Sequence, residues 1–294
     1  STRGQIARAS DYVGGLDLAG SFDGAAMHTP VEVSTVAERA FADVCADLMI
    51  SFAGGSATGL GKALAARTGR PLIAVGTTYG GSEMTALIGE TEAGVKRARR
   101  DPRVLPPATI YDVDLTLALP PATSAASGLN PLPPAVEAAY APDPNPIVSA
   151  VAVDATASLH QALRLIRTDP AGREGRALAL RGACMAGFCL NAVSMGLHHK
   201  LCHTLGGAFD LPHAETHAVL LPYAMAYNRP AVGAAFAQIG ERLGGDAVEV
   251  IFALARDIAP YGSLKTLGMP AAGIERAVAL VLANPYENPA PIEE

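Results

Sequence analysis

The sequence has no tryptophan, only four cysteines and no long unbroken apolar run. Cys45, Cys184, Cys189 and Cys202 are too few and too irregularly spaced for a disulfide framework, and no CxxC pair marks a structural zinc. A reducing, cytoplasmic compartment is the expectation. The longest apolar stretch, Ala177–Met195, is interrupted by Arg181, Gly182, Gly187 and Asn191, which leaves it short of the roughly 20 apolar residues a spanning helix needs. No membrane association is expected. Positive charge is scarce too: 22 Lys and Arg against 28 Asp and Glu leave a net charge of −6. That balance offers no field for nucleic acid, and the one basic cluster, Lys96–Arg103, contains Asp101 and Pro102. The chain opens at Ser1 with neither an initiator Met nor the pattern of a signal peptide.

What is present is a compact globular composition. With 294 residues, 50% apolar and 17% charged, the chain has room for two domains and a sizeable core. Its 30 glycines and 22 prolines are scattered, which excludes collagen-like and linker readings. Residues 1–120 alternate between helical and strand signals. Thr35–Asp47 has helical spacing, Leu48–Ala53 is a short apolar run ending in Gly54-Gly55-Ser56, and Ala57–Thr68 is helical again. Pro71–Val75 then runs into Gly76-Thr77-Thr78, and Ala108–Tyr111 supplies one more strand. Strand, glycine-rich turn, helix and strand read as a βαβ unit of a parallel sheet, whose ligands sit at the carboxyl ends of the strands.

After Pro120-Pro121, β-branched runs become rare. Helices are expected over Pro146–Thr168, Arg173–Leu205, Ala214–Tyr227, Gly233–Leu243, Ala247–Ile258 and Gly273–Ala283. The spacing predicts a Rossmann-like α/β nucleotide-binding domain over 1–122, an all-α domain over 123–294, and a cleft between them.

Three constellations carry chemistry. Gly54, Gly55 and Ser56, with Gly59 and Lys62 following, lie between a buried strand and a helix, where backbone N–H groups and the helix dipole suit a phosphate. A ligand-free turn fits the same residues, because neither the Rossmann nor the Walker spacing is met. Thr77-Thr78-Tyr79-Gly80-Gly81-Ser82-Glu83-Met84-Thr85 follows the next strand and suits either a nucleotide or a helix cap. Five histidines fall within residues 198–217: His198, His199, His203, His213 and His217. His199 and His203 share a helical face, and a group of this kind binds metal or relays protons. Carboxylates to complete a metal site are few; Glu137 is the nearest candidate on the preceding helix.

The stretches GGSATGLGKALAARTGRPLIAVGTTYGGSEMT, RDPRVLPPATIYDVDLTLALPP, SAASGLN, GLHHKLCHTLGGAFDLPHAETHAVLLP and NPYENP closely resemble maleylacetate reductases of the iron-containing alcohol dehydrogenase superfamily, which shares its fold with dehydroquinate synthase. The resemblance spans nearly the whole chain. It implies reduction of the carbon–carbon double bond of maleylacetate to 3-oxoadipate by NADH or NADPH, in aromatic-compound degradation. It places the pyrophosphate over Gly54, Gly55 and Ser56, and Thr77, Thr78 and Ser82 nearer the nicotinamide. His199, His203 and His213 become the catalytic group across the cleft, and His198, Lys200, Tyr79 and Asn130 the holders of a small anionic substrate. A homodimer is likewise implied.

The chain departs from the pattern at several points. The first two metal ligands of the metal-dependent relatives, an Asp and a His, correspond to Asn130 and Pro134, so no catalytic metal is expected. Ala53 stands for a third glycine, Glu287 for an aromatic residue and Tyr223 for a His. Family members carry an outer strand and the first nucleotide-domain strand ahead of the point where Ser1 aligns. Two other readings stay open: a non-redox lyase, cyclase or isomerase of specialised biosynthesis using the histidines for acid–base work, and a catalytically silent binding protein.

Overall fold

A computed structural model describes residues 9, 11–143, 145–258, 262–283 and 287–293. The chain divides into two compact units, Ser1–Thr116 and Leu117–Glu294, a few residues ahead of the 122/123 boundary read from composition. The reason is local. Leu119 already belongs to the helical unit, because its carbonyl accepts a hydrogen bond from the buried Arg176 guanidinium at 3.1 Å.

The first unit opens with helix α1 (Val31–Asp43), followed by strand β1 (Met49–Ala53), helix α2 (Gly55–Thr68) and strand β2 (Leu72–Gly76). Strand β5 (Ala108–Tyr111) completes a parallel sheet in the order β1-β2-β5. Ala53 pairs with Gly76, and Gly76 with Tyr111, so the strands end in register and their following turns emerge at one edge. Leu60, Ala63 and Leu64 of α2 pack with Met49, Leu72 and Ile88 in one apolar core. The βαβ reading therefore describes the sheet.

An antiparallel hairpin, β3 (Leu87–Glu92) and β4 (Val95–Arg100), was not expected. Its β4 sequence, VKRARR, carries almost no apolar alternation. The signal it does carry is the Ala93-Gly94 turn, where both residues have positive φ (49° and 78°), as tight two-residue hairpin turns require.

The second unit is all helical: α3 (Pro121–Leu129), α4 (Leu132–Ala138), α5 (Pro146–Thr168), α6 (Arg173–Ala192), α7 (Leu197–Phe209), α8 (His213–Leu243), α9 (Ala247–Ile258) and α10 (Gly273–Leu282). Val136, Leu159, Leu163, Met225, Ile239 and Ile251 form its main core. Two boundaries differ from those expected. The segment 173–205 is not one helix: it breaks at 193–196, where Asp143 accepts hydrogen bonds from the Ser194 N–H and hydroxyl, and α7 leaves at 91° to α6. Over 213–243, labelled α8 throughout, the first segment runs on past Tyr227, and two helical segments meet at a kink at Val232 (φ −121°, ψ 24°) just after Pro230, so the break expected between 227 and 233 is present. Among the described residues no single helix is long and apolar enough to cross a membrane, and only the bent α6–α7 pair passes on length and composition.

Candidate active site

The two glycine-rich turns meet at the sheet edge, where the Thr77 N–H donates to the Ala53 carbonyl at 3.2 Å. Gly54 is the N-cap of α2 and no side chain caps this helix; the Ala57 and Thr58 N–H groups donate to the Gly54 carbonyl, and the positive end of the dipole is left at Gly55 and Ser56. A Cβ on Gly55 would meet nothing within 4 Å. On Gly54 the situation is opposite: a Cβ would lie 2.8 Å from Thr78 Oγ1, because the second turn packs directly onto the first. An uncapped helix start with open space beside it fits a dinucleotide phosphate.

Lys62 and Tyr79 do not serve the roles their neighbourhood suggested. Lys62 is 2% exposed. Its ammonium donates to the Ser82 carbonyl, to Thr85 Oγ1 at 2.9 Å and to the Leu87 carbonyl at 3.0 Å, tying the second turn to α2 instead of reaching toward a phosphate. Burial lowers its pKa to about 8, with Glu83 opposing the shift. Tyr79, proposed from the resemblance to hold substrate, is fully buried and presents no surface to one. Glu83, given no role of its own in that turn, is buried and accepts from the Tyr111 hydroxyl at 2.8 Å and the Gly81 N–H at 3.3 Å. Thr77 is buried, while Thr78 and Ser82 are half-buried.

The histidine site is built by the break before α7. A fresh helix start leaves N–H groups without intrahelical partners, and side chains from elsewhere in the unit satisfy them. Glu137 on α4 accepts from the His198 N–H at 2.8 Å and the His199 N–H at 3.3 Å, and Asn288 accepts from the Leu197 N–H at 3.3 Å. Glu137 Oε2 also meets His199 Nδ1 at 2.5 Å. Burial pushes this carboxyl up, but the His199 bond and the charges and N–H groups around it more than offset that and hold it below its ordinary value. A carboxylate only accepts, so the proton sits on His199 Nδ1 and Nε2 is left to face outward chemistry.

The cluster grades from solvent to core. His203 and His213 are exposed and stacked, with ring centroids 6.3 Å apart and planes at 16°. His199 lies between them and the interior, 6.2 Å from His203 and 5.3 Å from His217. His217 and His198 are buried and joined by a 3.0 Å Nδ1···Nε2 hydrogen bond. Burial pushes His198 down to about 3, against the opposing pull of Glu137, and pushes His217 down as well. His198 was expected to hold a substrate carboxylate. The structure corrects this, because its ring is neutral, fully buried and committed to His217. Lys200, on α7, and Asn130, at the C-terminal end of α3, are half-buried.

Asn228 also escaped the sequence reading. It exchanges two hydrogen bonds with Asn288, at 3.1 and 2.7 Å, and so ties α8 to the start of α7. Residues 284–286 of the NPYENP motif lie outside the described residues.

Iron does not fit the donors present. Asn130 offers an amide and Pro134 no side-chain donor at all, which leaves at that position His199, whose Nδ1 is held by Glu137 and whose Nε2 stays open, and His213. Among the described residues one group of three His, Cys, Asp or Glu has converging donor atoms, and it consists of His198, Cys202 and His217 rather than His199, His203 and His213. At the iron position His199 and His213 alone remain, and two imidazoles fall short of the three or four ligands a stable site needs.

A parallel α/β unit with a glycine-rich turn at its sheet edge, joined to a helical unit carrying a graded imidazole cluster, is a bipartite architecture compatible with an oxidoreductase. The iron-containing alcohol dehydrogenase family model matches residues 3–113 and the C-terminal model of the same family matches 124–294, and the chain belongs to that family. It is 48% identical to a maleylacetate reductase from Rhizobium sp. (strain MTP-10005), covering 94% of this chain and 79% of that one, and 46% identical to a maleylacetate reductase from Burkholderia cepacia, covering 100% and 84%. The crystal structure of the Rhizobium enzyme superposes with a TM-score of 0.94 at 47% identity, over 99% of this chain and 83% of that one.

Proposed function

We propose that this chain is an NADH- or NADPH-dependent reductase of maleylacetate, or of a closely related anionic enone, yielding 3-oxoadipate in aromatic-compound degradation without a catalytic metal. The observation that carries the reading is the arrangement of exposed His203 and His213 beside a His199 whose Nδ1 is fixed by buried Glu137. When bound, the reduced nicotinamide supplies the hydride. Gly54, Gly55 and Ser56 hold the pyrophosphate through the uncapped start of α2, and Thr77, Thr78 and Ser82 hydrogen-bond nearer the reactive ring.

Hydride addition to the alkene carbon remote from the ketone moves the π electrons onto the ketone oxygen, and an enolate results. With Nδ1 against Glu137, His199 in its doubly protonated form would offer an Nε2–H to that oxygen, where charge develops. His203 donates a proton to the enolate carbon and recovers one from the solvent it faces. Lys200 and Asn130 suit the substrate's carboxylates by charge and by amide donation. The same reading carries a cytoplasmic homodimer, checked by cell fractionation and sedimentation.

Titration with NADH and NADPH, followed by nicotinamide fluorescence, and then turnover of maleylacetate test the proposal. Saturable micromolar binding and stoichiometric nicotinamide oxidation are expected. No binding up to millimolar concentration, or product formed with no nicotinamide present, overturns it and favours a non-redox enzyme on this fold.

A further inference from the structure

One side-chain cluster is unused by that chemistry. His198 and Cys202 stand four residues apart on α7, so they share a face. His217 reaches them from the first turns of α8. The donor atoms of all three lie within 4.8 Å of one another. We propose that His198, Cys202 and His217 form a buried binding site for a borderline-soft divalent cation of the zinc class, clamping α7 to α8.

Two of the three separations are close to what such an ion asks for, and the third, His217 Nδ1 to Cys202 Sγ, lies within 4.8 Å, so binding would draw the Cys202 thiol toward His217. Tetrahedral ligation with ordinary Zn–N and Zn–S distances separates a nitrogen from a sulfur by about 3.6 Å and two nitrogens by about 3.3 Å. His198 Nε2 lies 3.5 Å from Cys202 Sγ and 3.0 Å from His217 Nδ1. The two imidazole planes are at 70° with centroids 4.8 Å apart.

Charge is also accommodated. A divalent ion, one thiolate and two neutral imidazoles leave one positive charge, and the Glu137 carboxylate, within electrostatic reach of both His198 and Cys202, offsets part of it. Burial keeps the free Cys202 thiol protonated, so binding breaks the S–H bond, forms a sulfur–metal bond and releases one proton to solvent. Thiolate and imidazole ligands select zinc-like ions over magnesium or calcium. Three protein donors leave one position for a solvent molecule. Because His198, Cys202 and His217 are 0%, 1% and 3% exposed, the ion has no surface for a substrate and acts on structure. The site does not depend on the reductase reading.

The test uses the full chain expressed in medium supplemented with Zn²⁺ and, separately, with Co²⁺, passed over chelating resin and assayed for metal content and absorption spectrum. About one ion per chain is expected, with a thiolate-to-cobalt charge-transfer band in the Co²⁺ protein. Cys202→Ala should abolish the band, and both Cys202→Ala and His217→Gln should lower metal affinity by about tenfold or more. Circular dichroism reports whether each variant folds; if neither does, the wild-type band alone decides. Wild-type occupancy below about a tenth of an ion, bound cobalt with no charge-transfer band, or metal kept by Cys202→Ala and lost by His199→Ala overturns the proposal.

Discussion

Glu137 Oε2 and His199 Nδ1 meet at 2.5 Å, and the carboxylate that makes this bond also receives the N–H groups of His198 and His199. One buried acid therefore starts a helix and aims the imidazole that helix carries.

Glu137→Gln should separate those two roles. The amide keeps one acceptor but turns a donor toward a group that already donates, so His199 loses its counter-ion and its fixed tautomer. We expect kcat to fall by about 10–100-fold, with nicotinamide affinity nearly unchanged. Unfolding free energy should fall by about 2–3 kcal/mol, the cost of buried N–H groups losing a charged acceptor. Glu137→Asp should restore part of kcat. If KM for the nicotinamide rose while kcat held, Glu137 would have no part in positioning His199.

His203→Ala tests the proton donor. His203 is exposed and next to His199, so its loss should leave the fold and cofactor binding intact while turnover drops by about a hundredfold. Stopped-flow absorbance at the nicotinamide band measures the step. Unchanged turnover would move the proton donation to His213 or His199.

Much of this site was legible before any coordinates. The strands ending at Ala53 and Gly76 announced themselves through apolar runs closed by glycines, and five imidazoles within 198–217 could hardly be scattered once two of them stood four apart. What escaped depended on partners distant in the chain. Glu137 reads only as a possible metal-ligating carboxylate; the break at 193–196, itself hidden inside an evenly apolar stretch, brings the His198 and His199 N–H groups to it and makes it a helix-starting acceptor. Periodicity likewise leaves the direction of His198 open between solvent and core, and Lys62 beside a glycine-rich turn gives no sign that carbonyls from residues 82 and 87 will take its ammonium.

Gly54→Ala probes the contact between the two turns. The added Cβ would sit 2.8 Å from Thr78 Oγ1 and 2.9 Å from its Cγ2, closer than real Cβ contacts allow, so Thr78 must move. We expect a loss of about 1–3 kcal/mol in unfolding free energy and weaker NADH binding. Adding Thr78→Ala should recover most of the stability. Equal instability in single and double variants would place the strain in the Gly54 backbone instead.

Lys62 makes a pH dependence with a defined sign. Its pKa is lowered to about 8 by burial, against 10.5 for the group in water. Below pH 8 both folded and unfolded chains hold the proton, and the folded state bears the full cost of burying an ammonium. Between pH 8 and 10.5 the unfolded chain still binds a proton that the folded chain has released, so stability rises with pH. The three oxygens around Nζ and the nearby Glu83 reduce this cost without removing it. Lys62→Met lacks the group, so the wild-type-minus-variant difference in unfolding free energy should rise by about 1.4 kcal/mol per pH unit across that window. Urea denaturation of both proteins at several pH values between 7.5 and 10 measures it, and other titrating groups cancel in the difference. A flat difference would mean that the ammonium is solvated or compensated in the folded protein, and that Lys62 ties the 82–87 segment to α2 at no electrostatic cost.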